Sequence, residues 1–289
     1  MKKLKKILMM LAICSLSVVA VSCSSEEKKN TTNETTEKKE ATEKKEATEK
    51  KEVKLSNEEI FKKATEATKS IKSSRQLTDY KESISSDRDM ILQSIIMQVT
   101  TSENPTVTKL LSNLKDDIKS RDFNMYFTED ASYAQDSETK KWYNVKDAGR
   151  KKTFETQKNS VNIEAIIKVL QSIEKNLKIE EKGSEYEISY SGAEVNLKDY
   201  LKQLCFVNAP LTDKLFELTD LEKCDIVYRA DKSSFMPIEY TVKIKMKFKK
   251  SKKESYYVFD FKSQYYDINN VDPITLPDEV KNAEEWKGK

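Results

Sequence analysis

Between Ile238 and Phe248 the chain alternates without a break. Ile238, Tyr240, Val242, Ile244, Met246 and Phe248 fall on one side, and Glu239, Thr241, Lys243, Lys245 and Lys247 on the other. A period of two over this length predicts an antiparallel strand with one face buried and one in water. Lys249–Lys253 then makes a turn, and Tyr256–Phe261 pairs back. Similar patterns predict strands at Leu77–Ile84 (with polar alternates), Phe123–Phe127 and Ile226–Arg229, and Met90–Thr100 is a longer strand candidate in which Met90-Ile91-Leu92 and Ile95-Ile96 would also suit a helix. Ser132–Ala134 and Trp142–Val145 read as a hairpin, and Leu177–Ile179 with Tyr186–Tyr190 as a short strand pair. Val107–Ile118 is ambiguous, because Leu110, Leu111, Leu114 and Ile118 recur at helical spacing.

Three segments have a helical period instead. Ser56-Asn57-Glu58-Glu59 is a capping box, and Ile60, Ala64, Ala67 and Ile71 continue from it as a stripe. Ile163, Ile166, Ile167, Leu170 and Ile173 mark a second helix. Asn196 caps a third, with the stripe Leu197, Tyr200, Leu201, Leu204 and Cys205. Pro210 closes that region, and Leu215, Phe216 and Leu218 add a further turn or two. Val271–Pro277 is extended and leads into a short tail helix. Strands, then helices, then strands make an α+β class, in which sheets with one wet face carry helices on the other.

The N-terminus follows a different logic. Lys2, Lys3, Lys5 and Lys6 precede an apolar run from Ile7 to Val21, and Ala20-Val21-Ser22-Cys23 supplies small residues before a cysteine. This is a secretory signal, and the cysteine makes it resemble a bacterial lipoprotein signal with Cys23 as the lipid attachment residue. Ala20 stands where such signals usually carry Leu, and the competing reading is an uncleaved anchor helix. Residues 1–22 are thus the signal. Residues 23–54 are the lipidated cysteine and a low-complexity tether in which Glu-Lys-Lys-Glu-Ala-Thr recurs. Residues 55–289 are a single domain. The tether has no apolar face with which to dock, so it reads as a hydrated spacer rather than a repeat that binds something.

Composition narrows the chemistry. The signal holds four of the 52 cations and none of the 49 anions, so the mature chain is close to neutral and carries no footprint for nucleic acid. The chain has no histidine, which excludes Ser-His-Asp and Cys-His catalysis and His-ligated metals, and its four glycines form no phosphate loop. Ser112-x-x-Lys115 lacks the motifs that accompany it in penicillin-recognising enzymes. Asp267-x-Asn269 begins like a calcium loop, but Val271 and Asp272 occupy its ligand and glycine positions. We expect neither an enzyme nor a cofactor. Cys205 and Cys224 remain, as a disulfide or as two buried thiols.

Three further motifs resemble a known family. They are the tail Ile274–Ala283, the aromatic run Tyr126, Tyr133, Trp142, Tyr143, and the turn Ala230–Ile238, which reads Asp-Lys-Ser-Ser-Phe-Met-Pro at its centre. Together they resemble LolA/LppX-like lipoproteins over about residues 57–283. The resemblance implies a curved antiparallel sheet, an open half-barrel with helices packed in its concave face, and a lipid-like ligand held between them. Candidate lining residues are then Ile238, Tyr240, Val242, Ile244, Met246 and Phe248 from the long strand, with Ile163, Ile166, Ile167, Leu170, Leu201 and Leu204 from the helices. The same residues would equally make an ordinary filled core. The expected role is non-enzymatic binding of a lipid-like ligand by a protein held on the outer face of the cell membrane through Cys23. The alternative is an envelope module meeting protein or wall polymer through Trp142, Tyr143, Tyr256, Tyr257, Tyr265, Tyr266 and outward lysines.

Overall fold

The capping box forms as its sequence requires. The Glu59 amide donates to Ser56 Oγ at 3.2 Å and the Ser56 amide donates to Glu59 Oε2 at 2.8 Å, which starts α1 (Asn57–Lys69). The structure, a computed structural model, describes residues 55–86, 90–116, 120–146, 163–194, 197–201, 204, 209–251 and 253–287. The signal, Cys23, the tether, Asn196 and Cys205 lie outside the described residues.

After α1 the chain runs as a meander: β1 (Ser74–Ser85), β2 (Met90–Ser102), β3 (Val107–Lys115), β4 (Ser120–Phe127), β5 (Ser132–Gln135) and β6 (Trp142–Asn144). Helix α2 (Ile163–Ser172) leads to β7 (Lys178–Lys182) and β8 (Glu185–Gly192). Helices α3 (Leu197–Leu201) and α4 (Ala209–Leu218) precede β9 (Thr219–Asp231), β10 (Pro237–Phe248) and β11 (Tyr256–Tyr266). A last turn of helix, α5 (Asp278–Lys281), ends in β12 (Glu284–Glu285).

All twelve strands join one sheet in the order β12-β6-β5-β4-β3-β2-β1-β11-β10-β9-β8-β7. Two meanders are therefore zipped together where β1 pairs antiparallel with β11, from Arg75 opposite Tyr266 to Ser85 opposite Tyr256. Only β12 runs parallel to its neighbour, β6. The end strands β7 and β12 do not pair with each other, so the twisted, curved sheet stays open as a half-barrel. One buried cluster covers its inner face from Ala134 on β5 to Ile188 on β8 and takes in α2, α3 and Phe216 of α4. The α+β architecture expected from the sequence is the one observed.

Two local readings need correction. Val107–Lys115 is strand β3, with Leu110 and Ser112 buried and Leu111 on the other side. Residues 110 and 114 are four apart, a spacing that keeps them on one face of a strand as well as of a helix. Pro210 does not close a region; it sits in the first turn of α4, where a missing amide proton costs nothing.

The β9–β10 turn is held by one carboxylate. Asp231 Oδ1 accepts from Ser233 Oγ at 2.5 Å and from the Ser234 amide and Oγ, each at 2.8 Å. These bonds, the Ser233 hydroxyl first, lower its pKa to about 2. Asp231→Ala is expected to cost about 1 kcal/mol at pH 7, since the site is partly exposed and solvent screens it. A lowered carboxylate pKa stabilises the fold above the unfolded value near 4. Urea unfolding of the two proteins should therefore differ at pH 7 and converge as pH falls towards 2.

The tail forms a second, smaller core on the outer face. Val280, fully buried, packs with Val107 and Tyr126, and Ile274, Leu276, Tyr133 and Trp142 surround them. The Trp286 amide donates to the Asn144 carbonyl at 2.9 Å, and its ring meets Tyr143 edge-on at 4.7 Å. The C-terminal strap thereby covers the edge of β6, a position that would otherwise invite pairing with another chain.

Candidate functional site

The alternation of β10 places Tyr240, Val242, Ile244 and Met246 on the inner face, each no more than 1% exposed. In the same buried cluster, α2 is buried along Ile163, Ile166, Ile167 and Leu170, and only Glu164, Lys168 and Gln171 form an exposed stripe. Leu201 and Leu204 are fully buried in the same cluster. A helix apolar around most of its circumference belongs inside a concavity rather than on a surface. Ten of the twelve candidate lining residues thus meet in one interior. Phe248 is half-buried at its margin. Ile238 is also half-buried, because a register shift between Pro237 and Glu239 takes it out of the alternation.

The inner face also carries polar residues. On β1 the buried positions are Gln76, Thr78, Tyr80 and Glu82, whereas Leu77 on the opposite face is 36% exposed. Thr78 stands opposite Ser263 on β11, which stands opposite Tyr240 on β10, which stands opposite Tyr228 on β9. Ser263 Oγ accepts from Gln76 Nε2 at 2.5 Å and shares a hydrogen bond with Thr78 Oγ1 at 3.0 Å.

Four residues further along β1, Glu82 is 1% exposed. Its carboxylate accepts from the Tyr80 hydroxyl and, at 2.8 Å, from Gln93 Nε2. Burial raises its pKa to about 7, against the opposing pull of Tyr257 and Gln93. Such a group is a neutral acid below pH 7 and a buried anion above it.

The Tyr228, Tyr240 and Tyr265 hydroxyls are buried and make no hydrogen bond of normal geometry. Tyr240 lies near enough to Tyr265 and Ser263 for them to bear on its ionisation, but burial dominates and pushes its pKa up. Burial also pushes up the Tyr228 and Tyr265 phenols. All three are neutral donors across the physiological range.

The remaining candidates separate. Ser112 is buried and donates to the Phe123 carbonyl at 2.7 Å, while Lys115 is exposed on the other side of β3, so they form no catalytic pair. Asn269 bonds the Lys72 amide at 2.7 Å and the Ser70 carbonyl at 3.1 Å, which makes it a brace for the α1–β1 corner. Among the described residues no group of acidic or cysteine side chains is arranged to hold a metal ion. Cys224 is a free, buried thiol, and burial together with Asp225 and Glu194 pushes its pKa up to about 12. The aromatics proposed as one surface lie on different faces: Tyr257 and Tyr265 point inward, Tyr266 is 47% exposed, and Trp142 belongs to the strap cluster. The outward lysines are largely neutralised, with Lys245 3.0 Å from Glu222, Lys247 2.6 Å from Glu254 and Lys262 2.7 Å from Glu239.

A sequence profile spanning nearly all of the folded region, residues 56–285, matches that of a family of unknown function, DUF6612. The chain belongs to that family. No curated protein sequence matches this DUF6612 chain. Among solved structures it is similar to the lipoprotein LppX of Mycobacterium tuberculosis, at 12% identity and a TM-score of 0.40, over 77% of this chain and 100% of that one. It is also similar to a LolA superfamily protein of Nitrosomonas europaea, at 9% identity and a TM-score of 0.23, over 78% and 97% of the two chains. A DUF1329 family protein of Desulfovibrio piger follows, at 7% identity and a TM-score of 0.24, over 72% and 92%. LppX and LolA are the forms that the sequence motifs resemble. Among the described residues no helix is long and apolar enough to cross a membrane.

Proposed function

We propose that this DUF6612 chain is a lipoprotein, anchored through Cys23 at the outer face of the cell membrane, that binds a lipid-like ligand between its sheet and helices. The observation that carries the reading is the interior itself. An open sheet presents one broad apolar face, and short helices rather than a second sheet cover it. Helix α2 is buried around most of its surface. It shares one apolar cluster with Tyr240, Val242, Ile244 and Met246, the chemistry that suits acyl chains. The paired outward lysines and divided aromatics give no comparable support to a wall-polymer or protein surface.

Anchoring and binding are separable. Cys23→Ala is expected to abolish labelling by a radioactive fatty acid in growing cells and to stop release of the signal, with no change in the unfolding of the folded region. Binding is tested by titrating the protein with a fluorescent fatty-acid or glyceride analogue. Saturable emission that an unlabelled lipid displaces supports the reading. Emission equal to that of a denatured control overturns it.

A further inference from the structure

The proposed interior has a polar end, and its chemistry selects among amphiphiles. Tyr228 and Tyr240 are neighbours on β9 and β10, and Tyr240 is near Tyr265. All three side chains are at most 8% exposed, and their hydroxyls make no hydrogen bond of normal geometry, Tyr240 being near Tyr265 and Ser263 without a well-formed bond to either. A buried hydroxyl that neither donates nor accepts costs about 1–3 kcal/mol, so three together are an unfilled requirement rather than an accident of packing. Each offers a proton to an acceptor, and none ionises near neutral pH.

The charge around them decides what that acceptor is. Gln76, Thr78 and Ser263 are neutral and hydrogen-bonded to one another. The nearest carboxyl group along the inner face of β1 is that of Glu82. The buried cation of this face among the described residues, Arg121, lies on β4, four strands from β11, and pairs with Asp116 at 3.4 Å. That is roughly 19 Å at ordinary strand spacing. Lys63 and Lys232 lie outside this interior, over the rings of Phe235 and Tyr186, with Lys63 exposed and Lys232 paired to Glu181. A carboxylate or phosphate among the three tyrosines would therefore be desolvated with no buried counter-charge beside it, whereas an ester carbonyl or hydroxyl oxygen would not.

We propose that Tyr228, Tyr240 and Tyr265 form a donor site for the oxygen atoms of an uncharged amphiphile, a glyceride or long-chain ester, whose chains lie along β10. This rests on the lipid-binding reading above and adds the class of head group. The test uses the full chain in bilayer nanodiscs and three photoactivatable probes of equal chain length: a monoacylglycerol, a fatty acid and a hydrocarbon. Cross-linking to inner-face residues is read by peptide mass spectrometry, at a pH where the fatty acid is ionised.

The wild type should take the monoacylglycerol at least about tenfold better than the fatty acid. Each of Tyr228→Phe, Tyr240→Phe and Tyr265→Phe should weaken monoacylglycerol labelling by about three- to tenfold and leave the hydrocarbon unaffected. Thermal unfolding of each variant shows that it is folded, and the single variants suffice if the triple one is not. Equal labelling by monoacylglycerol and fatty acid, or a preference that survives every Phe variant, overturns the donor site, the hydroxyls then being served by water alone. Absence of inner-face labelling by all three probes overturns the lipid-binding reading itself.

Discussion

At pH 8 the Glu82→Gln protein is expected to be more stable than the wild type by about 3 kcal/mol, and at pH 4 the two should be nearly equal. The carboxyl has a pKa of about 7 in the folded state against 4.5 for the ordinary side chain. Below pH 4.5 both states hold the proton and burial carries no ionic penalty. Between 4.5 and 7 the unfolded chain releases its proton while the folded one retains it, so stability falls as pH rises. Above 7 the loss is complete, at about 1.4 kcal/mol for each unit of the shift.

Glutamine keeps the shape and an oxygen for the Tyr80 hydroxyl, and the Gln93 amide can turn to meet the new NH2 group. Urea unfolding at several pH values between 4 and 8 measures the difference. A wild type and variant whose stabilities run parallel over this range would show that Glu82 does not titrate as its burial requires. An acid in this place makes the interior more polar above pH 7, and loading of an apolar ligand should weaken in the same direction.

Phe259→Ala is expected to cost about 4 kcal/mol. Phe259 is fully buried at the centre of the inner face. Its ring meets Tyr80 edge-on at 5.1 Å and stacks near Phe261 at 6.2 Å. Phe259 also stands directly opposite Glu82 across the β1–β11 seam. Truncation removes apolar contacts and opens a space beside the carboxyl, where water can solvate the anion. The penalty for ionising Glu82 should therefore shrink in the Phe259→Ala background, and a double-mutant cycle at pH 8 should show coupling of about 1 kcal/mol or more. A loss under 1 kcal/mol for Phe259→Ala would mean that this part of the interior is not packed as described.

Much of the fold was readable because amphipathic periods are long. The unbroken alternation of Ile238–Phe248 located β10 and its inner face, and the stripe from Ile163 to Leu170 located α2. The capping box at Ser56 located the start of α1. Two things were not readable. The joining of two meanders through β1 and β11 depends on contacts nearly two hundred residues apart, such as Gln76 with Ser263, for which no local pattern exists.

The polar end of the candidate site was hidden for a sharper reason. Gln76, Thr78 and Glu82 look like the wet side of a strand, and Leu77 like its buried side; the fold reverses them. A clue was present in Tyr80, the large residue in phase with the polar set rather than with Leu77. Polar residues that share a face with a buried aromatic mark an interior with hydrogen-bonding work to do, and here they border the three unpartnered tyrosines.

The central claim is that the interior holds a lipid-like ligand. The most direct test is native mass spectrometry of the protein purified without detergent from its own host, followed by organic extraction of the same sample. The account predicts adducts of several hundred daltons that extract as lipid, with uncharged glycerides or esters prominent among them. A clean apo mass, with no uptake of added glyceride or fatty acid, would contradict it.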